Sequence, residues 1–480
     1  MTYLSVILVY LFALIAIGIV KSRKIHTQSD FALAGRALTP WVLVGTMLAS
    51  WIGTGSILGN AGKTYETGMA ALMLPIGSIL GIILLTRIAG KVRSYEKYTV
   101  PEIIGDRYGP VARNLSVFAL VMAYMVIVSY QYNAGGAVLY TILADNTGTS
   151  IISIELATII AAVFIIAYTM LAGLLSVAYT DAANSIIMTL ALIISLPILW
   201  IKAGSWSGME TAFAAMNKSQ HMQFGGVYSA MDIINFCLPP FLLVIGDANM
   251  YQRFSASKDV QSARYSTTIL VFAVLFIELL IIVSAWVSSS MIPEAEVGKH
   301  VLIYAAHQFL PTFLGAIMLT TIVGIIISTA DSFLLVPANT LIRDIYLNYI
   351  NPQASEKNIV RLSRLLVLLL GIIAYIVSIG FSRSAGFFER ALYAYTIYGA
   401  AITPALLAAL FWRGATKEGA VASIICGTLV TLFWKELPGL WFWLPTEWYI
   451  SLDEVLPAIS GSLLALICVS YLTQKADPGK

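Results

Sequence analysis

The 480-residue chain is 59% hydrophobic and 11% charged, against roughly 45–50% apolar and about 25% charged residues in a typical soluble domain. This excess of apolar surface excludes an ordinary soluble enzyme and predicts a polytopic protein of the lipid bilayer. The 28 Lys and Arg against 25 Asp and Glu leave a net charge of only +3, which does not indicate nucleic-acid binding. The three cysteines lie far apart in apolar runs, so we interpret them as buried apolar residues.

Apolar stretches of about 20 residues, each long enough to cross the bilayer as a helix, recur along the whole chain. We predict an all-α polytopic membrane protein with about thirteen transmembrane helices. Twelve is the alternative, since little besides Gly173 separates the fifth segment from the sixth. The predicted segments cover residues 2–20, 41–62, 68–90, 112–142, 152–173, 176–203, 229–247, 266–290, 312–337, 362–381, 390–412, 419–435 and 455–473.

The charges that flank these segments predict the orientation of the chain. The first segment ends at Lys21, Arg23 and Lys24 and has no cleavage signal, so it is predicted to be a retained helix rather than a signal peptide. Because basic residues favour the cytoplasmic side, its N-terminus is predicted to lie outside. Threading thirteen spans from that start predicts a plasma (inner) membrane protein with a cytoplasmic C-terminus.

Two predicted spans contain residues that a simple lipid-facing helix would avoid. One holds Ala-Ser-Trp-Ile-Gly-Thr-Gly-Ser at 49–56, and the other holds Asn-Phe-Cys-Leu-Pro-Pro at 235–240, followed by Gly246 and Asp247. Such residues free backbone polar groups that protein or a watery cavity must satisfy, although a bent helix with only a packing role is the alternative. Leaving out the first span, the breaks fall in the first and sixth of ten helices. This placement predicts a five-plus-five inverted-repeat transporter fold with discontinuous first and sixth core helices.

The predicted repeat divides the chain into four parts. These are an extra N-terminal helix and cytoplasmic loop at 1–40, a first inverted repeat (core helices 1 to 5) at 41–205, a second inverted repeat (core helices 6 to 10) at 206–412, and two C-terminal helices with a short cytoplasmic tail at 413–480. The division rests on the positions of the breaks, because the two halves have diverged too far to be matched by identity.

Few ionisable residues fall inside the predicted spans, where a charge is costly. Asp181, Asp331 and Glu278 are the candidates, and no Lys, Arg or His is predicted near the middle of a span. Carboxylates without basic partners indicate a bound cation. Ser328, Asp331 and Ser332 share one helix face and offer oxygens that suit sodium, although such hydroxyls can also bond back to their own helix. Glu278 is predicted to make a structural or lipid-edge hydrogen bond.

A series of short motifs follows one another along nearly the whole chain. They are Ala49-Ser50, Ala172-Gly173, Tyr179-Thr180-Asp181, Tyr251-Gln252-Arg253 and Ala256-Ser257-Lys258 on the predicted cytoplasmic side, Ser328-Thr329-Ala330-Asp331-Ser332, Arg343-Asp344-Ile345-Tyr346, Pro404, Trp412-Arg413 and residues 416–420. In this order and spacing the sequence resembles the sodium:solute symporter family, which includes sodium-coupled proline, pantothenate, glucose and sialic acid transporters.

The resemblance implies a main sodium site between the first and eighth core helices. Its ligands in this sequence are the backbone carbonyls of Ala49, Ile52 and Ile325 and the side-chain oxygens of Ser328 and Thr329.

Some similar members hold a second sodium ion, which the resemblance implies here at Asp181, Ser328 and Ser332. Asp331 stands where some relatives have a hydroxyl ligand, so two carboxylates could bind sodium tightly or one could be protonated. The sequence favours two sodium ions per cycle.

The pocket for the solute is predicted along the same helices. Proline-type relatives carry an aspartate near the first break, where this chain has Trp51, and this difference argues against proline itself. A midplane without basic side chains fits a small neutral or zwitterionic solute, whether an amino acid, a sugar, a monocarboxylate or a vitamin. The predicted walls, each of which could instead serve packing, are Trp51, Gly53, Ser56, Tyr124, Gln131, Phe236, Tyr395 and Tyr398.

The predicted function is sodium-coupled symport of a small polar solute by alternating access, with sodium as the ion required. A proton-coupled carrier of the same fold, with Asp181 or Asp331 titrating, is the first alternative. A transporter-like membrane sensor is a second and less favoured one, because only a short segment follows the last predicted span. An enzyme is not predicted, since no nucleophile–base pair or metal cluster is found.

Overall fold

The structure is a computed structural model, and it describes residues 2–22, 27–144, 150–294, 298, 300–381, 386–434 and 451–474. Within these ranges the chain forms helices joined by short connections and contains no β-strand. The predicted all-α class is therefore confirmed.

The described α-helices follow the order of the predicted segments. The first group is α1 (Thr2–Ser22), α2 (Gln28–Leu33), α3 (Pro40–Trp51), α4 (Ala61–Thr67), α5 (Ile76–Ser94), α6 (Val100–Tyr108), α7 (Pro110–Ile142), α8 (Ile154–Lys202) and α9 (Ser205–Ala215). The second group is α10 (Ala230–Gly246), α11 (Ala248–Ala256), α12 (Val260–Ser289), α13 (Val301–Gln308), α14 (Thr312–Thr340), α15 (Glu356–Phe381), α16 (Phe387–Ala401), α17 (Thr403–Phe411), α18 (Lys417–Phe433) and α19 (Val455–Thr473). Short 3-10 or π-helical turns cover Ala34–Arg36, Gly55–Asn60, Gly68–Met73, Ser219–Met222 and Leu341–Ile350.

Many of these helices are long and apolar enough to span a membrane. In the described part of the chain nine meet both conditions, or ten if the bent pair Pro40–Trp51 and Gly55–Met73 counts as one span. Helix α8 supplies two of them, because Gly173 takes φ 60° and ψ 168° and interrupts it. The predicted separation of the fifth and sixth segments is confirmed, while the total of thirteen stays a prediction.

The first predicted break is present in the structure. Helix α3 ends at Trp51, Ile52 leaves helical geometry with φ −76° and ψ 87°, and a π-helical turn begins at Gly55. The two parts are bent by 51° relative to each other. Gly53, between them, lies so close to α14 that a Cβ atom on it would be 2.9 Å from the side chain of Thr329. The break therefore brings the end of α3 into direct contact with the middle of α14.

The second break lies further along the chain than the prolines suggested. Helix α10 runs through Pro239 and Pro240 and ends at Gly246, where Asp247 leaves helical geometry with φ −58° and ψ 114°. The Tyr398 hydroxyl on α16 donates to the Gly246 carbonyl at 2.8 Å and accepts from the Ala248 N–H at 3.1 Å. Tyr398 thus satisfies backbone groups that the break sets free.

Two groups of helices enclose the breaks. Helix α8 packs against α3, α7 and α14, while α5 packs against α10 and α12, and α16 bridges α7 and α10. Apolar side chains on these faces form one large buried cluster. Both interrupted helices therefore lie inside the bundle, where other protein groups can take up their backbone polar atoms.

Replacing Gly77 by alanine is expected to destabilise the protein, because a Cβ atom there would overlap the backbone carbonyl of Cys237 on α10. Helices α5 and α10 would have to separate, at a cost of about 1–3 kcal/mol. Gly380→Ala on α15 is the matched control, since nothing lies within 4 Å of its Cβ position. Thermal unfolding of the detergent-solubilised variants measures the difference, and equal midpoints would contradict the close contact.

Candidate functional site

The end of α3 and the middle of α14 meet at the first break. The Thr329 hydroxyl donates to the Ala49 carbonyl at 3.4 Å, and Gly53, a predicted pocket wall, lies against the same side chain. Carbonyls at the end of an interrupted helix and hydroxyls on a facing helix are the oxygens that bind sodium in transporters of this kind, so the residues present fit the ion. All five predicted ligands are buried: Ala49, Ile52, Ile325, Ser328 and Thr329.

The carboxylate of Asp181 lies beside this contact and is fully buried. It accepts hydrogen bonds from the hydroxyls of Ser328 and Thr46, the latter at 2.6 Å. Asp331 instead accepts from Thr169 on α8. The expected convergence of Asp331 with Ser328 is therefore wrong in this structure, because their side chains bond to different partners.

Arg253 provides a positive charge where the sequence predicted none. Its guanidinium is fully buried, donates to the Ser332 hydroxyl at 2.7 Å and to the Thr46 hydroxyl at 3.0 Å, and lies 3.5 Å from the Asp181 carboxylate. The sequence did not predict that this residue is buried, and α11 turns its side chain into the bundle. Asp181 consequently has a basic partner, and the oxygens predicted for a second sodium ion already face a cation.

A cavity lies between α5, α10, α12, α16 and the segment after the first break. Its volume is about 40 Å³, which leaves room for a few water molecules. Four of the predicted walls line it, namely Trp51, Ser56, Phe236 and Tyr395. The rings of Trp51 and Tyr395 stack with centroids 6.2 Å apart. Its lining of aromatic rings with a few polar groups is of the kind that small-molecule sites use.

The remaining predicted walls lie outside this cavity and pack around the breaks. Tyr124 donates to the Asp247 carboxylate at 2.5 Å and stacks on Tyr398 with ring centroids 5.5 Å apart. Gln131 accepts a hydrogen bond from the hydroxyl of Thr54. These three side chains therefore hold the unwound segments in place, which is the packing role that the sequence left open.

Glu278 on α12 lines the cavity and is absent from the predicted site. It is 2% exposed and accepts hydrogen bonds from the Ser56 hydroxyl at 2.5 Å and from the Asn60 amide at 3.0 Å. Of the two predicted roles, these contacts agree with a structural hydrogen bond and not with one at the lipid edge, because α12 directs this side chain toward the segment after the first break. The sequence signal is the spacing of Ser56 and Asn60, four residues apart on one helical face.

Curated relatives match the chain over nearly its whole length. A sodium/proline symporter of Haemophilus influenzae is 26% identical over 98% of this chain and 94% of its own length. The osmoregulated proline transporter OpuE of Bacillus subtilis is 25% identical over 97% of this chain and 94% of its own length.

Solved structures show the same architecture. A sodium-coupled sialic acid symporter in a substrate-bound, outward-open state superposes with a TM-score of 0.81 at 15% identity, covering 99% of this chain and 98% of that one. The nucleobase-cation-symport-1 transporter Mhp1 superposes with a TM-score of 0.57 over 93% of this chain and 96% of its own. This likeness, together with the two helix breaks, confirms the predicted inverted-repeat transporter fold.

The sequence profile that describes the sodium:solute symporter family matches residues 31–427. This range includes both helix breaks, the Asp181–Arg253 pair and the contact between Ala49 and Thr329. The predicted resemblance is confirmed, and the chain belongs to the sodium:solute symporter family.

Proposed function

We propose that the protein is a sodium-coupled secondary active symporter that imports a small polar organic solute by alternating access. The observation that carries the proposal is the contact of the Thr329 hydroxyl with the Ala49 carbonyl, at the end of an interrupted helix and close to a cavity. Sodium bound among these oxygens joins α3 to α14. Because Trp51 on the same break lines the cavity, the ion also fixes the shape of the solute pocket.

Coupling follows from this shared segment. Sodium binding favours the pocket geometry that binds the solute, and by reciprocity loss of sodium weakens solute binding. One positive charge crossing a membrane potential of 100 mV supplies about 2.3 kcal/mol, enough to concentrate a solute against its gradient.

One sodium ion per cycle is the stoichiometry that the geometry supports. The second predicted ion would need oxygens of Asp181 and Ser332, and the guanidinium of Arg253 already approaches both. A sodium ion beside that fixed charge would be repelled. We therefore propose one sodium ion per cycle in place of the two that the sequence favoured.

The organisation proposed for the chain follows the predicted boundaries. Repeats at 41–205 and 206–412 contribute one interrupted helix each, and the regions 1–40 and 413–480 flank them. We propose a cell-membrane protein with its N-terminus outside and its C-terminus in the cytoplasm, as the distribution of basic residues favours.

Uptake into proteoliposomes tests the proposal. The probes are labelled proline, because named relatives are proline transporters, and a pool of amino acids, sugars, monocarboxylates and vitamins. We expect at least one solute to accumulate under an inward sodium gradient and not under an equal potassium gradient. Equal uptake in both salts, with accumulation driven by an inward proton gradient, would overturn the sodium assignment.

A proton-coupled carrier of the same fold is the second candidate, and Asp331 favours it. This carboxylate is 1% exposed and accepts a hydrogen bond from the neutral hydroxyl of Thr169. Within the described ranges no ion pair to Asp331 is formed. Asp331→Asn separates the two functions. If the protein is a proton-coupled carrier, this variant should abolish accumulation driven by a proton gradient. If it is a sodium symporter, accumulation driven by a sodium gradient should remain.

A further inference from the structure

Glu278 places a carboxylate inside the cavity, in the middle of an apolar helix. Its neighbours in sequence are Ile277 and Leu279, and 2% of the residue is exposed. Burying an ionised carboxylate is costly unless hydrogen bonds and a counter-charge compensate it. Leu or Gln would fill the same space without this cost. The presence of a carboxylate therefore indicates a functional role.

Two neutral donors satisfy part of the carboxylate. Ser56 donates to one oxygen at 2.5 Å and Asn60 donates to the other at 3.0 Å. A carboxylate has about four acceptor positions, so capacity remains for another donor. The hydrogen bonds orient both oxygens without neutralising their charge.

The described part of the chain supplies no counter-ion to Glu278. Two basic residues on neighbouring segments have other partners, since Lys63 pairs with Glu66 at 2.8 Å and Arg390 donates to Asn133 at 3.0 Å. No basic side chain lines the cavity in these ranges either. An ionised Glu278 would therefore give the cavity a negative charge that a cationic ligand can compensate.

Aromatic rings form the other walls of the cavity. Trp51, Phe236, Phe388 and Tyr395 all line it, and Trp51 stacks on Tyr395. Ring faces attract cations, and aromatic cages are a recurrent way to bind ammonium groups. Together with a carboxylate, this lining is complementary to a positively charged nitrogen.

We propose that Glu278 and the surrounding rings bind a positively charged nitrogen of the transported solute. The solute class is then an amine, a quaternary ammonium compound or an amino acid that presents its ammonium group to Glu278. This inference rests on the proposed transport function and narrows the solute of that same cavity.

The first test compares ligands of equal shape and different charge on the wild-type protein. The pairs are L-proline with tetrahydrofuran-2-carboxylate, and choline with 3,3-dimethylbutan-1-ol. Each is tested in sodium medium as a competitor of whichever pooled solute accumulates. We expect the charged-nitrogen member of one pair to compete at least about ten-fold better than its isostere. Equal competition within both pairs, or accumulation only of solutes without a charged nitrogen, would overturn the inference.

The second test uses Glu278→Gln, which keeps the shape and one hydrogen-bonding oxygen but removes the charge. Solute affinity is expected to fall at least about ten-fold, while sodium binding in the absence of solute stays within two-fold of wild type. Glu66→Gln, which removes an exposed carboxylate paired with Lys63, is the matched control and should transport normally. A shift in sodium affinity with unchanged solute affinity would assign Glu278 to an ion instead and contradict the inference.

Ligand-induced thermal stabilisation keeps this inference separate from the proposed function. If wild-type protein accumulates nothing under a sodium gradient, the symport proposal fails. The same probes are then tested for stabilisation of wild type and Glu278→Gln in potassium medium. Charged-nitrogen probes that stabilise only the wild type support the cation site without sodium coupling, and no stabilisation by any of them would overturn it.

Discussion

Replacing Thr329 by alanine is expected to raise the sodium concentration needed for half-maximal uptake at least about ten-fold. The hydroxyl donates to the Ala49 carbonyl across the first break and is one of the two side-chain oxygens predicted for the site. A hydrogen-bonding or ion-binding oxygen at a charged partner contributes about 1.5–3 kcal/mol, which corresponds to roughly 10- to 100-fold in affinity. Solute uptake at varied external sodium in proteoliposomes gives the value directly.

Two further variants test whether the Thr329 hydroxyl binds the ion or is only a buried group that contributes to packing. Thr329→Ser keeps the oxygen and should restore most of the sodium affinity. Thr267→Ala on α12 removes a buried hydroxyl that donates only to its own helix, at the Ala263 carbonyl, and should leave sodium affinity unchanged. Equal sodium dependence in Thr329→Ala and wild type would refute the site between α3 and α14.

Removal of Arg253 is expected to produce the largest loss of stability. Arg253→Met leaves the buried Asp181 carboxylate without its cation, and breaking a buried ion pair from one side costs about 3–5 kcal/mol. The double variant Arg253→Met/Asp181→Asn removes both charges and should recover a large part of that loss. Thermal unfolding of the purified protein in detergent, followed by tryptophan fluorescence, compares the wild type with both variants.

A surface pair with nearly the same separation serves as the control. Lys417 lies 3.4 Å from Glu418, against 3.5 Å between Arg253 and Asp181, and the side chains of Lys417 and Glu418 are 72% and 44% exposed. Solvent screening reduces such a pair to less than about 1 kcal/mol, so Lys417→Met should shift the unfolding midpoint only slightly. Equal shifts for Lys417→Met and Arg253→Met, or no recovery in the double variant, would show that the buried pair does not stabilise the fold.

Features that depend on local sequence were predictable. Apolar length located the helices, since about 20 apolar residues are needed to cross hydrocarbon whatever the helix packs against. Gly53 and Gly55 marked the first break, because a Cβ atom on Gly53 would collide with Thr329 and one on Gly55 with Tyr395. Ser328 and Thr329 were identifiable as two adjacent hydroxyls in an otherwise apolar helix.

Features that depend on distant pairing were not predictable in the same way. Arg253 sits in a short polar segment that resembles a surface loop, and its partner Asp181 is 72 residues away in sequence. Glu278 has only apolar neighbours along α12, and its donors precede it by more than 200 residues. The prolines of α10 suggested an earlier second break than the one found after Gly246. A helix inside a bundle can continue through residues that would end an isolated one.

The pairing of Arg253 with Asp181 also determines what an electrical recording of this protein reports. Two opposite charges 3.5 Å apart form a compact dipole with no net charge. When the helices that carry them shift together in the proposed cycle, the dipole transfers almost no charge through the transmembrane field. The transient current that follows a voltage step should therefore contain little contribution from this pair. Over a complete cycle the helices return to their starting positions, so the steady current counts only the transported charges. With one sodium ion per cycle, a doubly charged turnover would identify a cationic solute, and a singly charged one a neutral or zwitterionic solute.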